Sequence, residues 1–429
     1  MHITDEATAP VSGGAYRVML VDDSSVIRGL LSRAMDGHPM IQVVATAADG
    51  ARALMTLEKT PVDVIILDIE MPVMDGLTAL PKLLAVDPAV KIIVASTLSL
   101  KNAEISMHAL SLGAADYMPK PSSTREITNT RDFKDELIDK ILVLGAVARK
   151  AGVRGSAVLK PTIKPVGTPH ATAASAAPQP VPQQSPIKKP LPPMAALPRT
   201  AAGAPASMPR PATAAPLTRM PPPPATGKIS LRPAPKLSPD IIMIGSSTGG
   251  PQALFCTIKA MGRLKQPVMI TQHMPPSFTT ILAEHISKQC SVICVEGKDG
   301  MELEGGVYYV APGDYHMLVQ NQSGKHVLSL NKDAQENFCR PAVDPMLRSA
   351  VAVFGRKILV VMLTGMGQDG WKGSEAVVEA GGAVIAQDEA TSVVWGMPGA
   401  VANGGVCSAV LPIDEIGGYV RRLAQGALA

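Results

Sequence analysis

The sequence predicts two α/β domains, each built on a doubly wound parallel sheet, joined by a long disordered linker rich in proline and alanine. Short apolar runs alternate with amphipathic helical patterns before residue 150 and again after residue 240, as such sheets require. At 429 residues the chain exceeds one hydrophobic core, which usually stops growing at about 250 to 300 residues. Of its 39 prolines, 22 fall in residues 161–240. We predict an N-terminal tail at 1–15, a first domain at 16–145, a linker at 146–236 and a second domain at 237–429.

The first domain shows five strand patterns in succession. The run RVMLV precedes apolar residues at helical spacing from Val26 to Ala34, and VVATAADG leads into a helix from Gly50. VDVIILD leads into a helix from Leu77, KIIVAS into a helix near Asn102, and DYMPKP closes the series. Near-continuous apolar strands that alternate with helices are typical of parallel sheets, so we expect a parallel five-stranded sheet.

Polar side chains follow the strands of this domain and should converge at one edge of the sheet. They belong to Asp22, Asp23, Asp68, Lys120, and either Ser96 or Thr97. Three carboxylates with one ammonium and one hydroxyl suit a divalent cation and a transferable phosphoryl group. We expect Asp68 to attack phosphorus while Lys120 and the hydroxyl hold phosphoryl oxygens. The metal would bind Asp23, Asp68 and the carbonyl of Glu70, with Asp22 reaching it through water.

The motifs VDDS, LDIEMPVMDG and PKP together resemble the response-regulator receiver domain over residues 17 to about 140. The resemblance implies phosphorylation of Asp68 with Mg²⁺ as cofactor, and it assigns the hydroxyl position to Ser96. The implied metal-binding residues are Asp22, Asp23, Asp68 and Glu70, and the supporting residues are Ser96 and Lys120.

The linker is basic, whereas the rest of the chain is acidic. Residues 151–239 contain 11 Lys or Arg and no Asp or Glu, against 29 basic and 36 acidic residues elsewhere. A segment of this composition cannot bury enough apolar surface to fold, so we interpret it as a solvated spacer. Its basic residues lack interleaved aromatics, which makes nucleic-acid or membrane binding the weaker alternative.

The N-terminus lacks the basic and apolar regions of a secretory signal, and no apolar run approaches the ~18 residues that span a bilayer. Five cysteines, all beyond residue 250, favour reduced thiols over a disulfide framework. Cys290 and Cys294 suggest a metal site only weakly, because no second pair accompanies them. We therefore expect a cytoplasmic protein without direct membrane insertion.

The second domain opens with IIMIGSSTGGPQ, residues 241–252, which predicts a strand, a tight turn and a helix. Pro251 suits the first helical turn, and Gly262 ends the helical pattern. A phosphate-binding turn is one interpretation, but G-x-G-x-x-G and a P-loop lysine are both absent. The other interpretation is a nucleophile elbow with Ser247 at its apex.

A nucleophilic serine needs a base, and His273 is the histidine that ends a strand, in PVMITQHMPP. His285 lies on an apolar helix face and His316 lies in the loop APGDYHM, so both are weaker candidates. A Ser and a His at neighbouring strand ends are the first two parts of an acyl-transfer site.

The orienting carboxylate should come from a third strand end. ILVVMLTGMGQDG supplies Asp369 after a glycine-rich turn, whereas Asp344 and Asp388 follow no comparably long strand. We therefore predict a triad of Ser247, His273 and Asp369.

The motifs GSSTGG, ITQHMPP, APGDYHM, RPAVDPM, LTGMGQDG and QDEATSVVWGMP resemble the catalytic domain of chemotaxis protein-glutamate methylesterases over residues 240 to about 425. The resemblance implies Ser247 as nucleophile, His273 as base, Asp369 as its partner, and backbone oxyanion donors at Met366 and its glycine neighbours. It implies no cofactor for the ester reaction. The long linker departs from the family's short hinge and predicts weaker inhibition of one domain by the other.

Together the two resemblances imply a phosphorylation-activated enzyme that demethylates glutamyl methyl esters on chemoreceptors and deamidates receptor glutamines. The implied partners are methyl-accepting chemoreceptors as substrate and a chemotaxis histidine kinase as phosphodonor. A DNA-binding regulator is a weak alternative because no recognition helix is evident. An adaptor with a degenerate serine site is the other alternative.

Overall fold

The computed structural model describes residues 14–96, 100–120, 131–155, 229–233 and 238–426. Most of the predicted tail and linker, and the alternative hydroxyl residue Thr97, lie outside the described residues. Among the helices in these ranges, none combines the length and the apolar character needed to cross a membrane.

The first domain contains a parallel five-stranded sheet in the order β2-β1-β3-β4-β5, as predicted. Its strands are β1 Tyr16–Val21, β2 Ile41–Ala47, β3 Val64–Asp68, β4 Lys91–Ser96 and β5 Asp116–Pro119. β3 is the central strand and is fully buried, which places Asp68 at the middle of the sheet's carboxyl edge.

Five described helices connect and flank these strands: α1 Ser25–Met35, α2 Gly50–Leu57, α3 Gly76–Val86, α4 Leu100–Ser111 and α5 Arg131–Gly155. The first three begin where a side-chain oxygen of Ser24, Asp49 or Asp75 accepts a backbone N–H of the first turn, which satisfies a donor that the helix cannot pair internally.

Helix α5 continues past residue 145, where we predicted the first domain to end. Leu137, Ile141, Leu144 and Ala148 form a buried stripe along it, and Arg149 Nη2 lies 2.9 Å from Asp63 Oδ2. This apolar face stabilises the helix up to the point where the basic linker composition begins. At the other boundary, residues 229–233 contact the second domain, because the Arg232 N–H donates to the Cys407 carbonyl at 2.8 Å. The linker is therefore shorter at both ends than the predicted range of 146–236.

The second domain contains a parallel seven-stranded sheet in the order β14-β13-β12-β6-β7-β9-β8. The strands are β6 Ile241–Ser246, β7 Val268–Gln272, β8 Ile293–Glu296, β9 Val307–Val310, β12 Ile358–Met362, β13 Ala383–Gln387 and β14 Ala409–Leu411. An antiparallel hairpin of β10 His316–Gln322 and β11 Lys325–Asn331 stands outside this sheet. The α/β prediction for this domain is confirmed.

The described helices of the second domain are α6 Gly250–Met261, α7 Phe278–Cys290, α8 Val343–Phe354, α9 Trp371–Glu379, α10 Met397–Asn403 and α11 Ile413–Ala424. Strand β6 lies between β12 and β7. The chain therefore leaves three adjacent strands at the same edge of the sheet.

The described parts of the two domains pack together in one compact unit. The ring of Tyr117 on β5 stacks on Phe278 of α7, with centroids 4.6 Å apart. Gln252 Nε2 on α6 donates to the carbonyls of Leu110 and Ala114, each at 2.6 Å. One apolar cluster continues from the first domain into the second, so their contact is a buried interface.

Candidate functional site

The carboxyl end of β6 carries two serines with different environments. Ser246 is fully buried, and its Oγ donates to Gln272 Oε1 at 2.7 Å. Ser247 is half-buried, and its Oγ makes no hydrogen bond within the described part of the chain. Gly249 ends the turn with φ 75°, a left-handed conformation that favours glycine. Only Ser247 therefore presents an available hydroxyl.

His273 follows β7, the neighbour of β6, and its Nε2 lies 2.8 Å from Asp369 Oδ2. Asp369 is buried, and its two oxygens also accept the N–H groups of Val343 at 2.6 Å and Asp344 at 3.1 Å. A fourth donor is Asn337 Nδ2, 2.9 Å from Oδ1. Burial alone would raise the pKa of Asp369, but the histidine and these donors at the start of α8 hold it below its ordinary value.

The contact with Asp369 determines which nitrogen of His273 can act as the base. In the neutral ring we assign the proton to Nε2, because that nitrogen faces a carboxylate, and Nδ1 then has the lone pair. Nδ1 lies 3.4 Å from the Cys339 thiol. Burial alone would lower the pKa of His273, but the adjacent Cys339 and Asp369 raise it above its ordinary value.

The loop after β12 brings backbone N–H groups to the serine turn. The Gly365 N–H donates to the Val394 carbonyl at 3.1 Å, whereas that of Met366 has no acceptor within the described residues. A side chain at Gly365 would place its Cβ 2.9 Å from Ser247 Cβ, closer than such atoms can approach. The glycine therefore permits the contact between this loop and the serine turn.

The weaker histidine candidates are both in structural positions. His316 is buried, its Nε2 lies 3.0 Å from the Ala334 carbonyl, and its Nδ1 accepts the Ala342 N–H at 3.2 Å. His285 lies on α7, where burial lowers its pKa. His316 has no free nitrogen with which to act as a base.

Asp344 and Asp388 are the weaker candidates for the orienting carboxylate. Asp388 accepts hydrogen bonds from the N–H and the hydroxyl of Thr391. Asp344 is buried and accepts the Gly373 N–H at 2.6 Å and Asn337 Nδ2 at 3.0 Å. Burial and the nearby charge of Asp369 raise the pKa of Asp344 to about 6. Asp344 is thus a second buried carboxylate, which shares the Asn337 amide with Asp369.

Sequence reasoning missed three residues that contact the predicted triad region: Gln272, Asn337 and Cys339. Gln272 Nε2 holds the Ser247 carbonyl at 2.9 Å. Asn337 and Cys339 lie directly before RPAVDPM, and their closeness to that motif is the signal that could have marked them.

The first domain carries a second candidate site at the carboxyl edge of its sheet. Oxygens of Asp22, Asp23 and Asp68 lie within 4.8 Å of one another. Lys120 Nζ lies 2.9 Å from Asp22 Oδ2 and 2.6 Å from Asp68 Oδ2. Burial raises the pKa of Asp68, and Lys120 partly opposes this shift. Three carboxylate groups facing one ammonium leave net negative charge in a set of hard oxygen ligands, which fits Mg²⁺.

The other predicted residues of this site lie beside it. The Glu70 N–H donates to Asp68 Oδ1 at 3.3 Å. Ser96 is buried at the end of β4, next to β3, and its Oγ lies 2.7 Å from Ser106 Oγ on α4. In this structure the Ser96 hydroxyl therefore contacts a helix.

Residues 242–420 match the CheB methylesterase family, and residues 18–131 match the response regulator receiver domain. The protein-glutamate methylesterase/protein-glutamine glutaminase of group 2 operon of Rhodospirillum centenum is 53% identical over 418 residues, covering 96% of this chain and 95% of that protein. The protein-glutamate methylesterase/protein-glutamine glutaminase of Azospirillum brasilense is 53% identical over 425 residues, covering 98% and 95%. The solved catalytic domain of Thermotoga maritima CheB methylesterase is 40% identical, covers 44% of this chain and 100% of that chain, and has a TM-score of 0.42. Identity over nearly the whole length of the first two relatives shows that this chain belongs to the CheB family of protein-glutamate methylesterases/protein-glutamine glutaminases.

Proposed function

We propose that the chain is a phosphorylation-controlled hydrolase that demethylates glutamyl methyl esters on methyl-accepting chemoreceptors and deamidates selected receptor glutamines in the cytoplasm. The observation that carries this proposal is the 2.8 Å contact between His273 and the buried Asp369. Ser247 follows β6, the strand next to β7, and its hydroxyl makes no hydrogen bond among the described residues. A positioned base next to an available serine is the requirement for acyl transfer.

The proposed reaction has two steps. Ser247 Oγ attacks the ester carbonyl carbon and its proton passes to His273 Nδ1, while the negative oxygen accepts the Met366 N–H. The tetrahedral intermediate then expels methanol, which takes the proton from His273. Water, deprotonated by the same nitrogen, attacks the acyl-enzyme and releases the glutamate and the Ser247 hydroxyl. With a glutamine substrate ammonia leaves in place of methanol.

In the first domain the proposal assigns phosphorylation to Asp68, with a chemotaxis histidine kinase as phosphodonor. Mg²⁺ would be held by Asp22, Asp23 and Asp68 with the Glu70 carbonyl, and when bound it would neutralise charge on the phosphoryl oxygens. Lys120, already 2.6 Å from Asp68, would contact those oxygens, as would Ser96 after leaving its partner on α4. The esterase reaction itself uses protein groups alone.

The interface between the domains supports control of one by the other. Thr248 Oγ1, one residue beyond Ser247, donates to Asp116 Oδ2 of the first domain at 2.8 Å. Asp116 Oδ2 is also 3.0 Å from Lys140 Nζ on α5. Met366 packs against the apolar cluster of the first domain. The first domain thus contacts both the serine turn and the loop with the proposed oxyanion donor, which supports inhibition before phosphorylation.

Methanol release from methylated receptor membranes tests the proposal. We expect the full-length chain to release methanol, a small phosphodonor with Mg²⁺ to increase the rate, and Asp68→Asn to remove the increase but keep basal activity. Wild-type chain that releases no methanol with phosphodonor and Mg²⁺ present would overturn the proposed function. Equal stimulation of Asp68→Asn would move the phosphoryl acceptor elsewhere.

A further inference from the structure

A tight turn at residues 336–339 lies directly beside the proposed active site. The Cys339 N–H donates to the Glu336 carbonyl at 2.9 Å, and the Glu336 N–H donates back to the Cys339 carbonyl at 3.2 Å. The central residues Asn337 and Phe338 have φ of 51° and 63°. Two consecutive positive φ values belong to a type I′ turn, which favours Asn followed by Gly. Asn337 fits this preference, whereas Phe338 holds a bulky side chain where glycine is preferred.

Three of the four turn residues are fixed by their side chains. Asn337 donates to the triad aspartate, and Cys339 contacts the triad histidine. The carboxylate of Glu336 pairs with Arg348 on α8. Phe338 differs, because its side chain is 74% exposed. The turn is therefore rigidly held against the catalytic groups and presents one aromatic ring to solvent.

Neither the backbone nor the packing of the folded chain explains a phenylalanine at this position. A left-handed conformation is unfavourable for a large side chain, and its exposure gives no burial in return. Residues kept in such conformations cluster at binding and catalytic sites. Exposed aromatic side chains on a rigid support are also favoured as anchors in protein interfaces.

We propose that Phe338 is a substrate-docking residue, whose ring packs on an apolar side chain flanking the methylated glutamate of the receptor. This inference rests on the proposed function. A protein substrate must bring its ester to Ser247 while its neighbouring side chains cover the rim of the site, and Phe338 lies between two residues that touch the triad. The ring stays exposed although the first domain already contacts Thr248 and Met366, so it is accessible before phosphorylation.

Phe338→Gly separates a role in docking from a role in folding, because it should weaken substrate binding without lowering the stability of the fold. Glycine adopts φ 63° without strain, so the melting temperature should equal or exceed that of wild type. The KM of the phosphodonor-activated full-length chain for methylated receptor membranes should rise about 5- to 30-fold, the range of an interface anchor. The kcat should stay within about twofold, because binding shared by ground and transition states affects KM alone. Phe338→Tyr, which keeps the aromatic ring, should have the same KM as the wild type.

Ile293→Ala is the matched control, since Ile293 is 56% exposed on the edge strand β8, and its KM should not change. An unchanged KM in Phe338→Gly would overturn the docking role, as would a fall in melting temperature together with kcat, which would indicate a structural role. If the wild type releases methanol and Phe338→Gly has the wild-type KM, only this inference is refuted. If the wild type releases no methanol, the proposed function is refuted.

Discussion

At the scale of single residues, the adjacent serines give the clearest prediction. Ser247→Ala should reduce methanol release by several orders of magnitude, as removal of a triad nucleophile does. Ser246→Ala should keep most of the activity but lose about 1 to 3 kcal/mol of unfolding free energy, because it leaves the buried Gln272 Oε1 without its donor. Both variants are compared by methanol assay and thermal unfolding. Near-normal turnover of Ser247→Ala would assign the nucleophile to another group.

The second residue-scale prediction concerns pH. His273 acts as a base only when neutral, so kcat/KM should fall as pH drops through its raised pKa. Asp369→Asn removes a carboxylate that raises this pKa, so the acid limb should move to lower pH while the maximal rate falls by about 10⁴. His273→Ala should leave less activity than Asp369→Asn. The base is misassigned if Asp369→Asn does not shift the acid limb of the pH profile of kcat/KM. It is also misassigned if His316→Ala lowers the activity more than His273→Ala does.

At the scale of elements, the strands explain how much of the site the sequence could predict. The apolar runs that end at Ser247, at His273 and shortly before Asp369 form β6, β7 and β12, which are adjacent in the sheet. Parallel strands bring their carboxyl ends to one edge of the sheet, so strand patterns could predict that these residues lie at the same edge. The contact between Cys339 and His273 joins residues 66 positions apart. Cys339 lies in an irregular segment between β11 and α8, where no periodicity indicates the path of the chain.

The turn before α8 gives the element-scale prediction. Asn337 Nδ2 bridges the buried carboxylates of Asp369 and Asp344, and its loss leaves the two charges facing each other. Asn337→Ala should lower kcat about 10- to 100-fold through misplacement of the triad and should raise the pKa of Asp344 further above about 6. Kinetics and NMR titration of the carboxyl groups measure these changes. Asn331→Ala, at the end of β11, where the amide donates to the exposed Asp333, is the control and should have neither effect. An unchanged kcat in Asn337→Ala would show that helix α8 positions Asp369 without help.

At the scale of the whole molecule, two features act in opposite directions on the closure of the domains. The interface contains a buried hydrogen bond from Thr248 and two part-buried hydrogen bonds from Gln252 to the first domain. The linker, which the sequence predicts to be unfolded, is long, and effective concentration falls roughly as the −3/2 power of tether length once the tether exceeds its span. We therefore expect the contacts to favour the proposed inhibition and the tether to weaken it. We expect measurable basal activity without phosphorylation.

Gln252→Ala separates these two features. The amide makes two hydrogen bonds across the interface, each worth about 1 kcal/mol, so their loss should raise basal methanol release about 5- to 30-fold. Phosphorylated chain should be unaffected, as should the isolated fragment 229–429, because neither uses the contact. Deleting residues 160–220 should lower basal activity by increasing effective concentration, and combined with Gln252→Ala it should return the rate toward wild type. A deletion that leaves the basal rate unchanged would show that the docking surface alone sets the inhibition.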